Sequence, residues 1–217
     1  MARPAFLFDL DGTLADTLAD LAASTNHVRA LHGLPAAPLA AVRTFVGDGA
    51  RTLLRRALHE ILPEAAAAAA ELLDRAFAEY IAHHERQCTG HATLYPGVRD
   101  HLRHLHGLGH PLAVVTNKPE RFARPLLVHL GLAPLLGAIV GGDTLPQKKP
   151  DPAPVQFALH CLSAEARTAT MVGDGVQDLR AGKAAGVRTI ACLFGYGDPA
   201  ALRAEGADAF WTTFGSG

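Results

Sequence analysis

Short apolar segments alternate with helical patterns along most of this chain, and that rhythm leaves few folds open. Residues 6–10, 112–115, 138–140, 170–172 and 189–193 each read as a buried strand that ends in polar or glycine-rich positions. Helical patterns over 97–106, 121–130, 153–162 and 179–185 separate most of them. Strands alternating with helices predict an α/β fold, a parallel sheet with helices on both faces. Such sheets bind ligands beyond the carboxyl ends of their strands, where Asp9, Thr116 and Asp174 fall.

One stretch breaks the rhythm. Residues 15–87 contain no convincing strand, while Leu18, Leu21, Ala22, Thr25 and Val28 recur at helical spacing. Leu53, Leu54, Ala57, Leu58 and Ile61 do the same, as do Leu73, Ala76, Phe77, Tyr80 and Ile81. Alanine is the best helix former, so the run 65–70 fits this pattern. The expected organisation is a core of residues 1–14 and 88–217 with an α-helical cap domain inserted at 15–87. A helical lid rooted beside a reactive strand can admit substrate and then exclude water.

The segment Phe6-Leu7-Phe8-Asp9-Leu10-Asp11-Gly12-Thr13 points to chemistry. Buried carboxylates need compensation, and a divalent cation is the usual one. Alternate residues leaving a strand face the same way, so Asp9 and Asp11 reach one crevice. One could attack while the other shuttles a proton. Three further pieces follow. Val115-Thr116-Asn117-Lys118 offers a hydroxyl and backbone N–H groups at a strand end, suited to a phosphoryl oxygen. Gln147-Lys148-Lys149-Pro150-Asp151-Pro152 places cations in a proline-stiffened loop. Met171-Val172-Gly173-Asp174-Gly175-Val176-Gln177-Asp178 ends a strand in a second acid pair.

Together these motifs, from the first strand to about Tyr196, resemble the haloacid dehalogenase superfamily of phosphatases with a helical cap after the first motif. Phe45-Val46-Gly47-Asp48-Gly49-Ala50, Leu94-Tyr95-Pro96-Gly97-Val98 and the run from Gly141 to Pro154 are most similar to its phosphoglycolate phosphatase subfamily. The resemblance implies a Rossmann-like core and hydrolysis of a phosphomonoester through an aspartyl-phosphate. Asp9 would be the nucleophile and Asp11 the acid and base. Thr116 and Asn117 would hold the phosphoryl oxygens, and Lys149, rather than Lys148, would bridge Asp9 and phosphate. Mg²⁺ would be held by Asp9, the Asp11 carbonyl and Asp174, with Asp178 acting through water or orienting the site. The substrate expected is 2-phosphoglycolate. The alternatives are a sugar phosphate, a nucleotide monophosphate or pyrophosphate, a mutase, or a non-catalytic phosphoryl-binding protein. Gly175, Val176 and Gln177 depart from the subfamily's serine-arginine-asparagine, and its usual final helix is expected to be missing or short.

For selectivity, Gly47, Asp48, Gly49 and Arg51 lie between and at the start of two cap helices, and Lys118 adds a cation from the core. Arg43 and Arg55 are further candidate charge partners for a small acid. The four histidines 101, 104, 106 and 110 flank an apolar helical face and suit surface or boundary positions better than a metal site.

At 217 residues and 49% apolar content, the chain can form one core domain plus a modest insertion. A net charge of −1 gives no reason to expect nucleic acid or an anionic membrane as partner. Cys88, Cys161 and Cys192 lack metal-ligand spacing and read as core residues of a reducing compartment. The chain enters a strand without a signal peptide, and no apolar run is long enough for a bilayer. A cytoplasmic monomer or homodimer acting on a small phosphate ester is the expectation.

Overall fold

The structure is a computed structural model describing residues 3–216. Its main sheet has six parallel strands: β1 (Phe6–Phe8), β4 (Leu112–Val115), β5 (Ala138–Val140), β6 (Thr170–Gly173), β7 (Arg188–Cys192) and β8 (Ala209–Trp211). Their order is β5-β4-β1-β6-β7-β8. The chain builds outward from β1 on one side through β4 and β5. It then returns to lay β6 against the other flank of β1, so the order reverses at the centre of the sheet.

Period-two alternation divides the core into two layers. Phe8, Val114 and Val172 face α5 (Val98–Gly107) and α6 (Glu120–His129), where Leu102, Leu126 and Leu127 cover them. Leu7, Ala113, Val115 and Met171 face α7 (Ala153–Cys161) and α8 (Val176–Ala184), meeting Val155, Ala158 and Ala181. A short α9 (Pro199–Glu205) packs Leu202 near Leu179 and Ala191.

Strand β8 was not among the expected elements. Its Trp211 packs edge-on with His101 and Phe214, which makes His101 a half-buried boundary histidine, while His104 and His106 are exposed. Cys88 and Cys192 are buried as expected, but Cys161, at the end of α7, is exposed. Its neighbours Val155, Ala158 and Leu159 take the buried stripe of that helix and turn position 161 outward.

Residues 18–87 form four helices: α1 (Leu18–Leu31), α2 (Leu39–Phe45), α3 (Ala50–Ala57) and α4 (Ala66–Gln87). The apolar stripes read from sequence meet here, with Val28, Leu53, Leu54, Leu73, Ala76 and Tyr80 in one cluster. Phe122 of α6 completes it, so this helical layer rests directly on the sheet-bearing layer. Two short antiparallel strands, β2 (Ala15–Asp16) and β3 (Thr93–Leu94), pair where the chain enters and leaves the helices. Arg43 of α2 donates to the carbonyls of Gly195 and Tyr196 across the same gap. No described helix is long and apolar enough to cross a membrane.

Candidate active site

Phe8 pairs in register with both Val114 and Val172, which brings three strand ends level. The residues just beyond therefore gather: Asp9 after β1, Thr116 and Asn117 after β4, and Asp174 after β6. Asp178 comes from the first turn of α8 and Lys149 from the loop before α7. All six are buried. Lys149 Nζ lies 3.0 Å from Asp9 Oδ1 and 2.6 Å from Asp178 Oδ1, and it donates to the Val115 carbonyl at 2.5 Å. Burial pulls this ammonium's pKa down, but Asp178 and Asp9 outweigh it and raise the pKa, so Lys149 stays charged.

One lysine cannot neutralise three carboxylates. Asp9, Asp174 and Asp178 each offer an oxygen within 4.8 Å of the others. Burial, then the charges of Asp9 and Asp178, push Asp174 up to about 7. Burial pushes Asp178 up to about 6 against the pull of Lys149, with Asp9 adding to the rise. Asp9 Oδ1 and Asp178 Oδ1 are buried without an aligned hydrogen-bond donor. An all-carboxylate cluster with unsatisfied oxygens and excess negative charge fits a hard divalent cation.

A stability prediction follows from the sign of that shift. An unfolded Asp174 titrates near 3.8 and the folded one at about 7, so the metal-free fold binds more protons between those values. It therefore loses stability as pH rises from about 4 to 7. Metal-free Asp174→Asn is expected to melt roughly 5 °C above metal-free wild type at pH 8. An added divalent cation should raise the melting temperature of the wild type but not of the variant, and should raise it less at pH 5.5. Differential scanning fluorimetry with and without a chelator checks all three.

Local structure holds the cluster in place. Thr13 Oγ1 and the Tyr196 N–H donate to the two oxygens of Asp174, each at 2.7 Å. The Gly175 N–H donates to Asp178 Oδ2 at 2.9 Å. Gly12 makes the turn between Asp11 and Thr13 at φ 87°, and a Cβ there would sit 2.2 Å from Asp174 Oδ2.

Asp11 stands apart from the three clustered carboxylates. Its Oδ1 accepts from Thr17 Oγ1 at 2.6 Å, and Lys118 Nζ lies 3.1 and 3.2 Å from its two oxygens. Both residues line a cavity together with Asp9, Thr116 and Asn117 on the sheet side and Gly47, Gly49 and His84 on the helical side. About 40 Å³ of it is open to the centres of water molecules. Asn117 Nδ2 donates to the Gly47 carbonyl at 3.0 Å and to the Lys149 carbonyl at 2.9 Å, joining the two sides.

Two residues expected to meet substrate from the helical side point elsewhere. Arg51 pairs with Asp74 at 2.6 Å and stacks over the Phe77 ring, because the buried face of α3 is the one carrying Leu53, Leu54 and Ala57. Asp48 pairs with Arg56. Arg55 is exposed, and Lys148 lines a neighbouring cleft with Arg51 and Arg121. Sequence reasoning missed Thr17, Tyr196 and His84. Of these, His84 had a legible signal, since it continues the α4 stripe from Leu73 through Tyr80.

Known proteins resemble this chain in sequence and in fold. The family model described as haloacid dehalogenase-like hydrolase matches residues 6–192. The chain is 40% identical over 201 residues to a phosphoglycolate phosphatase of Chromobacterium violaceum, covering 93% of this chain and 90% of that one. It is 44% identical to phosphoglycolate phosphatase 1 of Pseudomonas aeruginosa, covering 88% of this chain and 69% of the relative. A crystal structure of a predicted phosphoglycolate phosphatase from Haemophilus somnus superposes with a TM-score of 0.84 at 32% identity, covering 98% and 95% of the two chains. A hydrolase from Pseudomonas syringae shares the fold, with a TM-score of 0.79 at 22% identity over 96% and 93% of the chains. The chain belongs to the haloacid dehalogenase-like hydrolase family and is a phosphoric monoester hydrolase similar to the phosphoglycolate phosphatases.

Proposed function

We propose that this enzyme hydrolyses 2-phosphoglycolate to glycolate and phosphate through a phosphoryl group carried on Asp9. The observation that carries the reading is the ion pair of Asp9 with Lys149 beside Asp174 and Asp178, at the edge of a small cavity. A carboxylate attacking a phosphate dianion is repelled by it, and the Lys149 ammonium offsets that repulsion. Mg²⁺ held by Asp9, Asp174 and Asp178, with the Asp11 carbonyl, supplies the remaining positive charge when bound.

In the first displacement an Asp9 oxygen bonds to phosphorus as the ester oxygen leaves. Asp11 gives the leaving oxygen a proton. In the second, Asp11 takes a proton from water as the water attacks phosphorus, and Asp9 is released. Lys118 belongs to this cycle. At rest its ammonium pairs with Asp11. An arriving substrate anion competes for the ammonium, and Asp11, once released, takes up from solvent the proton that it gives to the leaving oxygen. Thr116 Oγ1 and the Asn117 backbone bind the phosphoryl oxygens. Residues 15–87 act as a cap domain over a core of 1–14 and 88–217, with β2 and β3 as the hinge. Closure removes water and strengthens each of these charges.

The relatives' printed names support the substrate, as does the restricted cavity. Phosphate release from 2-phosphoglycolate, glucose 6-phosphate, a nucleoside monophosphate and pyrophosphate tests it, each with Mg²⁺ and with a chelator. The expected result is at least about tenfold higher kcat/KM for 2-phosphoglycolate, a difference one cap contact can supply. A tenfold preference for another ester overturns the substrate assignment.

A further inference from the structure

His84 of α4 reaches the cavity from the helical side, and its Nε2 is buried without a hydrogen-bond partner among the described residues. The ring is fixed. Tyr80 stacks on it at 5.0 Å between centroids, and Phe122 meets it edge-on at 4.8 Å. Its Nδ1 lies 2.9 Å from Ser24 Oγ.

The surrounding network decides where the imidazole hydrogen sits. Gln87 Nε2 donates to the Asp20 carbonyl at 2.8 Å, which fixes the orientation of that amide. The same nitrogen donates to Ser24 Oγ and lies 3.3 Å from His84 Nδ1. Ser24 Oγ, which accepts from that amide, has its own hydrogen to give to Nδ1, and the amide beside it is a donor and no acceptor, so we assign the ring hydrogen to Nε2. Burial, then the nearby Lys118 charge, lowers the imidazole pKa to about 2, and the ring is neutral at working pH. The cavity thus holds an immobile, neutral N–H donor with nothing to donate to.

The acceptor it fits is anionic. Lys118 brings an ammonium to the same cavity, where it pairs with Asp11 on the sheet side. Gly49 and Ala50 begin α3 there, and the first N–H groups of a helix lack intrahelical acceptors. None of the residues that the helical segment contributes to the lining is acidic.

We propose that His84 Nε2–H donates a hydrogen bond to the carboxylate of the substrate, which makes His84 a specificity-determining residue for phosphorylated short hydroxy acids. The inference rests on the phosphatase reading above and names the contact that recognises the part of the substrate left after phosphate is removed.

The test compares 2-phosphoglycolate with ethyl phosphate, which lacks the carboxylate, in wild type, His84→Phe and His84→Gln. Because the ratio of the two kcat/KM values does not depend on the fraction of enzyme folded, it remains readable in a less stable variant. His84→Phe is expected to lower kcat/KM for 2-phosphoglycolate about 10- to 100-fold, mostly through KM, and to leave ethyl phosphate within about twofold. Gln, whose amide nitrogen carries hydrogens at a similar reach, should recover part of the loss. An unchanged ratio in His84→Phe, or equal losses on both substrates, overturns the role of His84 and leaves the substrate reading standing. A wild type that shows no preference for 2-phosphoglycolate removes the substrate reading itself.

Discussion

Asp9→Asn is expected to reduce kcat on the order of 10⁴-fold while leaving a folded protein. Asparagine keeps the shape of the side chain but is a far weaker nucleophile. The substitution also removes one of three crowded carboxylates, so metal-free Asp9→Asn should melt no lower than wild type at pH 8. That combination distinguishes a reacting group from a structural one, since a structural ion pair broken at a buried position lowers stability and activity together. Phosphate release under saturating substrate and a melting curve on the same preparation check it. Activity within tenfold of wild type would mean that another group attacks phosphorus.

Lys149→Met has the opposite stability signature. Its side chain is similar in length and apolar, but Asp9 and Asp178 lose their shared cation. Breaking a buried pair from one side destabilises by about 3–5 kcal/mol, because the remaining charge is left uncompensated. Asp178 already titrates at about 6 with Lys149 present, against 3.8 for an ordinary aspartate. Without the lysine the folded-state values rise further, so the native state binds protons that the unfolded chain does not. Stability therefore falls as pH rises through that range, and the deficit relative to wild type should be largest at pH 8 and smaller at pH 5. Urea melts at the two pH values, with metal chelated, measure it. A deficit of equal size at both would contradict the charge argument. Turnover should fall about 10³-fold as the offset of phosphoryl charge is lost.

Much of the architecture could be read before any coordinates because its signals are local. Phe6–Phe8 is short, apolar and followed at once by Asp9, and the same pattern recurs at β4 and β6. Strand β8 escaped because Ala209–Trp211 lies at the sheet edge and takes its place by pairing with β7 alone. The pair β2 and β3 falls at the two connections, 13–17 and 87–93, that the sequence marks as hinge strands, with β3 one residue further on at Thr93–Leu94. On the helical side, glycines 47 and 49 reach the cavity as expected, but Arg51 does not. Its charge and its place at a helix start suggested it, whereas the spacing of Leu53, Leu54 and Ala57 already put it on the outer face of α3. His84 shows the converse. It sits four residues beyond Tyr80 on the inner face of α4, and only its packing against Phe122 from the sheet side reveals where that face points.

The central claim is that phosphorus is transferred to one named oxygen-bearing side chain, and trapping that species tests it most directly. Enzyme mixed with Mg²⁺ and 2-phosphoglycolate, quenched in acid within milliseconds and digested, should yield a phosphoryl adduct on the peptide that carries Asp9. Borohydride reduction of the quenched protein should then convert residue 9, and not residue 11, to homoserine. A modification at Asp11 or at a histidine, or substrate turnover with no protein-bound phosphoryl group at any quench time, would contradict the account.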